Sequence, residues 1–219
     1  MTFSMVGRCA RTGMFGAVVT TSSIAVGSRC AYARAKTGAV LTQHRTDPAL
    51  GPRGLDLLSQ GKSSREAIDG MVASTPHHGW RQLAAIDAQG RTAHFSGRHI
   101  QSIHAGVEGK DCVAIANIVQ NLDVPAAMVR VFEADPALPL ATRLVRALAA
   151  GDAAGGEFKP LVSAALLVAH EQSFAFVDLR IDDHADPIAE LARLWRNYEP
   201  LAEEYVIRAT DPDRGQGKA

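Results

Sequence analysis

The chain has 219 residues, 47% hydrophobic and 21% charged, with a formal net charge of zero. That is the composition of an ordinary globular domain, and its neutrality lacks the basic footprint of a nucleic-acid binder, so no nucleic-acid partner is expected. Cys9, Cys30 and Cys112 are an odd number without CxxC spacing, which speaks against a disulfide framework and against a thiolate metal site.

No run has the length of a membrane span, so no membrane association is expected. Arg8 and Arg11 precede AVVTTSSIAVG much as a secretory leader would begin, but Thr20, Thr21, Ser22 and Ser23 interrupt its apolar core. The expected location is the cytoplasm, with the thiols reduced.

In chain order, TFSMVGRC and MFGAVVTTS read as strands joined by the turn-compatible ARTG. With Ala10 to Gly13 as the loop, Cys9 faces Met14, Val6 faces Ala17 and Thr2 faces Thr21. Directly opposed side chains share a sheet face, so this register brings the hydroxyls of Thr2 and Thr21 together. Ser4 lies on the same face as Thr2. TGAVLTQ, ending at Gln43, is a third apolar strand segment, followed by HRTDPALGPRG, which reads as a loop. Ser63 and Glu66 have capping-box spacing and open a helix through Met71 and Val72. RQLAAID and RTAHFSG form a second hairpin about Ala88 to Gly90, and DCVAIANIV is another central strand.

Asp123 reads as the N-cap, and Pro125 as a first-turn residue, of a helix through Phe132. A further helix spans Leu140 to Ala150 with Gly151 as its stop. LVSAALLVAH and FAFVDLRID look like a closing strand pair. Pro187 opens a last helix, with Ile188, Leu191, Leu194 and Tyr198 as its apolar stripe and an interruption near Pro200. Residues 1–208 are expected to form one domain, and 209–219 a disordered tail. Grouped antiparallel strands with segregated helices predict the α+β class, and the order fits a four-layer αββα sandwich of two antiparallel sheets with outer helices.

Two clusters invite a metal reading and are better explained otherwise. IDDHAD carries Asp182, Asp183, His184 and Asp186, but Asp186 is placed to cap the helix that starts at Pro187. His94, His99 and His104 recur at a spacing that matches neither a strand face nor a helix face. The Gly155-Gly156 pair lacks the lysine and hydroxyl of a Walker phosphate loop. No metal is expected. More pointed chemistry sits at the start of the chain. Removal of Met1 would leave Thr2 with a free α-amine, which can act as base for its own hydroxyl.

Many short motifs in one order carry a resemblance. They include TFS at Thr2 to Ser4, Gly13 and Gly16 of the first hairpin, AVGS at Ala25 to Ser28, GAVLTQ ending at Gln43, and DPALGPRGLDLL. Arg81-Gln82, Asn117, Ala154 to Gly156, Ser163-Ala164 and DLRIDDHADPIAEL complete the set. Over roughly residues 2–194 the chain resembles the bacterial domain-of-unknown-function family 1028, which is regarded as having an Ntn (N-terminal nucleophile) hydrolase fold. The resemblance implies Thr2 as nucleophile and an amide-like bond in a small molecule as substrate. It implies Thr21, Gln43 and Asn117 as catalytic neighbours, no metal or organic cofactor, and a homo-oligomer. Ser22, Ser23, Arg81, Gly155, Gly156, Glu157 and Ser163 are the expected substrate contacts, with the Gly155 and Gly156 N–H groups as candidate oxyanion donors.

The chain departs from the family pattern in three places, the smallest being Ala116 where the family has glycine before Asn117. Thr21-Ser22 stands where the family has Ser-Lys, leaving Lys36 as a candidate substitute cation. GGEFKPLVSA stands where the family has two consecutive arginines, and an arginine pair clamps anions in a way Lys159 alone does not. The alternative function is therefore a catalytically silent protein of the same fold that binds a ligand or partner.

Overall fold

The structure, a computed structural model, describes residues 1–214. It is an α+β protein with two antiparallel sheets. The first sheet holds β1 (Thr2–Arg8), β2 (Phe15–Thr21), β7 (His104–Gly109), β8 (Cys112–Asn117), β9 (Ser163–Ala169) and β10 (Val177–Ile181), in the order β10-β9-β2-β1-β8-β7. The second holds β3 (Ala31–Arg34), β4 (Gly38–Gln43), β5 (Gln82–Asp87) and β6 (Thr92–Ser96) in chain order. The helices are α1 (Leu50–Ser59), α2 (Ser64–Ala73), α3 (Asp123–Ala134), α4 (Leu140–Ala153), α5 (Pro187–Tyr198) and α6 (Ala202–Thr210). None of the described helices is long and apolar enough to cross a membrane.

Strand alternation sends each strand's side chains into two different cores. Phe3 and Met5 join Phe132, Leu144, Leu148 and Leu191 on the side of α3, α4 and α5. Val6, Ala17, Val19, Ile115 and Ala165 of the first sheet meet Ala39, Leu41, Ala84 and Ile86 of the second in a shared core. Val40, Leu83 and Ala85 turn the other way, onto Leu50, Leu55, Ile68 and Met71 of α1 and α2. The small residues of the first sheet let helices come close: a Cβ on Gly7 would stand 2.6 Å from Phe132, and one on Gly16 2.6 Å from Leu144.

The β1–β2 hairpin has the expected register, with Val6 opposite Ala17 and the Cys9 N–H donating to the Met14 carbonyl. Its turn needs the positive φ of 74° that Gly13 supplies. The Ser63–Glu66 capping box forms as read, and Asp186 accepts from the Ala189 N–H to cap α5.

Elsewhere the fold corrects the reading. The segment read as the loop HRTDPALGPRG contains the start of α1, because Leu50, Leu55 and Leu58 find an apolar surface on the second sheet. β3 and β7 are strands where no strand was expected. Asp123 lies in the first turn of α3, whose cap position is Leu122, and its own N–H is held by Asn121 Oδ1. Gly151 does not stop α4; it lies within the helix, where a Cβ would press 2.9 Å from Met128. α6 reaches Thr210, two residues into the segment expected as a tail, and residues 215–219 of that segment lie outside the described residues.

Candidate functional site

At one edge of the shared core, strand after strand changes from apolar to polar. Val6 faces that core, so alternation puts Ser4 and Thr2 there too. By the same rule Thr21 follows Val19, Asn117 follows Ile115, and Ser163 precedes Ala165 on the first sheet. Gln43 follows Leu41 and Gln82 precedes Ala84 on the second. Register gathers them: Thr2 opposes Asn117, Thr21 opposes Ser163, and Gln43 opposes Gln82. All of these polar residues are buried.

The ladder pattern orients Thr2. The Cys9 N–H donates to the Met14 carbonyl and the Arg8 N–H to the Asp111 carbonyl. Bonded and non-bonded pairs alternate along antiparallel strands. Counting back from those two bonds, Thr2 and Thr21 form a non-bonded pair, in which side chains approach closely. Thr2 and Asn117 form a bonded pair, so the Thr2 nitrogen points at the Asn117 backbone. The hydroxyls of Thr2 and Thr21 lie 3.3 Å apart. Both are also in hydrogen-bond contact, as donors, with the carbonyl oxygen of Met1.

Gln82 sets the polarity of the side chains behind them. Its Nε2 donates to the carbonyls of Ala116 (3.0 Å) and Ala105 (3.3 Å) and to Ser96 Oγ (3.1 Å). A side-chain atom facing two carbonyl oxygens is the amide nitrogen, so Oε1 must point the other way. Oε1 accepts from Gln43 Nε2 at 2.7 Å and from Asn117 Nδ2 at 3.0 Å. Gln43 Oε1 in turn accepts from the Ser4 hydroxyl at 2.6 Å. One acceptor is left over: Asn117 Oδ1 is buried without a hydrogen-bond partner. Asn117 therefore offers the site an acceptor, since the bond from its Nδ2 to Gln82 Oε1 fixes the amide with Oδ1 unpartnered.

Glu157 closes the edge from the glycine-rich connector. Its Oε2 accepts the Ser22 N–H at 3.1 Å, while Oε1 is buried and unpartnered. Burial pushes the Glu157 carboxyl up to about 7, against the pull of Ser22 and of the chain's amino terminus. Burial also pushes the Met1 amine down, with Glu157 raising it and Lys159 lowering it. Lys36 lies in the β3–β4 turn, at the far end of β4 from Gln43.

The remaining candidates divide. The Gly155 and Gly156 N–H groups donate to the Asp152 and Gly151 carbonyls, so they close α4 and are not free for an oxyanion. Ser163 Oγ donates to the Ser23 carbonyl and accepts from the Val26 N–H, and Ser23 Oγ accepts from Arg29, so both tie down the chain after β2. Arg81 is pinned to the Arg45 carbonyl and lies 3.9 Å from Asp47, on the Arg45–Asp47 loop. Sequence reasoning noted Gln82 in the Arg81-Gln82 motif but not as a site residue, although it is the hub of the amide chain. Its signal was a polar residue opening a strand on the same face as Ala84 and Ile86.

The fold and this edge define an α+β protein whose buried hydroxyl and amide groups meet at the first strand. The chain belongs to the family described as Family of unknown function (DUF1028), whose model matches residues 2–191. It is similar to a protein from Silicibacter pomeroyi of the same family, known from a crystal structure. The two are 31% identical, with 90% of this chain and 85% of that chain covered and a TM-score of 0.84. Anbu (ancestral beta-subunit) from Yersinia bercovieri aligns over 93% of this chain and 96% of that chain. Its 11% identity and TM-score of 0.39 are too low to carry an argument. No curated protein matches the chain.

Proposed function

We propose that the protein is an amidohydrolase of the N-terminal nucleophile type, with Thr2 as nucleophile once the Met1–Thr2 bond has been cleaved. The three cores support a four-layer αββα arrangement, with α3, α4 and α5 on one outer side and α1 and α2 on the other. The observation that carries the reading is the convergence of the Thr2 and Thr21 hydroxyls on one peptide carbonyl oxygen at a buried polar edge.

The Thr2 amine, freed of Met1, takes the proton from Oγ1 as that oxygen attacks the substrate carbonyl carbon. The Asn117 backbone carbonyl and the orphan Oδ1 accept the amine's N–H groups and hold its lone pair toward Oγ1. The Thr21 hydroxyl donates to the developing oxyanion, in the place where it now meets the Met1 carbonyl. Collapse expels the leaving amine with the proton and leaves a threonyl ester. Water, deprotonated by the same amine, hydrolyses the ester to the free acid and restores Thr2.

One cycle of N-terminal sequencing, with intact mass, on protein made at native levels is expected to show Thr2 at the terminus. An acylating probe should then label Thr2, and Thr2→Ala should lower hydrolysis by at least about a thousandfold. Hydrolysis that survives Thr2→Ala unchanged would remove Thr2 from the mechanism.

A further inference from the structure

The polar edge already holds one acyl group, and it is the chain's own first residue. The Met1 carbonyl oxygen meets the hydroxyls of Thr2 and Thr21, and the Met1 sulfur lies 3.7 Å from Ser22 Oγ. Burial holds the Met1 amine below its usual range, and Glu157 offsets part of that through space. Glu157 itself is held in place, because the Ser22 N–H binds its Oε2 and Gln120 Nε2 donates to its backbone carbonyl at 3.0 Å. The residue is only 6% exposed, yet Oε1 has no donor. A buried carboxylate oxygen without a donor is costly, and a ligand that brings the donor recovers the cost.

We propose that the site selects substrates with a free amino group on the carbon next to the scissile carbonyl, namely α-aminoacyl amides, whose ammonium is received by Glu157 Oε1. The inference rests on Thr2 as the nucleophile of the proposed function. Removal of Met1 empties a space that already suits such a group. In that space a carbonyl oxygen meets the Thr21 hydroxyl, and an unbranched side chain ends with its sulfur 3.7 Å from the hydroxyl of Ser22, the residue whose N–H holds Glu157. An acyl group moved from the Thr2 nitrogen to Thr2 Oγ1 stays within reach of the same partners, because both atoms belong to one residue.

Binding tests this without turnover. In protein starting at position 2 and carrying Thr2→Ala, L-methioninamide is titrated against N-acetyl-L-methioninamide and against 4-(methylthio)butanamide, which lacks the amine. The free-amine ligand is expected to bind at least about tenfold more tightly than either relative. Glu157→Gln should erase that preference and Glu157→Asp should keep part of it. Equal binding of the three ligands, a preference untouched by Glu157→Gln, or no binding of any would each overturn the inference. Turnover of the corresponding p-nitroanilides by the Thr2 protein separates the two readings. Preference in binding with no turnover removes the catalytic reading and keeps the selectivity. Turnover with no amine preference does the reverse.

Discussion

At the Thr2 end of β1, the polar groups are uncharged or singly charged, enclosed, and linked into one chain of amides and hydroxyls. At the Arg8 end lies a cavity of about 570 Å³, lined by Arg8, Arg11, Lys110 and Arg143 together with Asp111 and Glu133. Charges there are answered locally: Arg8 pairs with Asp111 at 2.9 Å, and Arg143 donates to the Phe132 carbonyl while its guanidinium lies 3.8 Å from the centre of the Phe132 ring. This cavity thus lies where most partners are supplied from within, Arg8 Nε excepted. The Thr2 end keeps two orphan acceptors, Asn117 Oδ1 and Glu157 Oε1, whereas the orphan at the Arg8 end is a donor, Arg8 Nε. Buried polar atoms are nearly always paired, so two acceptors gathered at one edge mark a place for a ligand that brings donors.

That contrast is open to test from both ends. Gln82→Leu strands the donors of Gln43 and Asn117 and the carbonyls of Ala105 and Ala116. It should lower unfolding free energy by about 3–5 kcal/mol in a denaturant titration, the sum of several unmet buried groups. A loss under about 1 kcal/mol would mean that the amide chain is not what holds this edge together.

Glu157 provides a pH test at the same end. A carboxyl whose folded pKa is raised from 4.5 to about 7 binds its proton more readily in the folded state. Its contribution to stability is therefore full below about pH 4.5 and is lost as the pH rises to about 7. The loss is at most about 3–4 kcal/mol, at 1.36 kcal/mol per unit. Denaturation of Glu157→Gln across this window should lack that decline; identical slopes for the two proteins would show that Glu157 does not titrate there.

The Arg8 end should respond less. Arg143→Met gives up a hydrogen bond and a cation–π contact, a loss of about 1–2 kcal/mol by thermal or chemical unfolding. Arg8→Met removes one partly exposed ion pair and should cost no more than about 1 kcal/mol. If these two exceeded Gln82→Leu, the contrast between the ends would be reversed.

Much of the first hairpin and its site was legible from local rules. ARTG with Gly13 makes a turn, period-two alternation sets faces, and together they placed Thr2 against Thr21 before any coordinates. The Ser63–Glu66 cap and the Asp186 cap were equally local, since each depends on residues within one helical turn. The α1 segment was less legible because Gly51, Pro52 and Gly54 resemble a loop until Leu50, Leu55 and Leu58 have a sheet to bury against. Gly151 looked like a helix stop for the same reason: its role is the close approach of Met128, which no neighbour in sequence reveals.

The sequence by itself determined the α+β class, most of the strands and helices, the register of β1 on β2, and a threonine poised behind Met1. Alternation names the face a side chain takes, but not which strand of the other sheet will lie across from it. Only the tertiary structure decided that Gln82 would orient Gln43 and Asn117, that Asn117 Oδ1 would be left without a partner, and that Glu157 would arrive beside Ser22 with one oxygen unmet. Those outcomes depend on distances between residues far apart in the chain, and such distances exist only once the two sheets have packed.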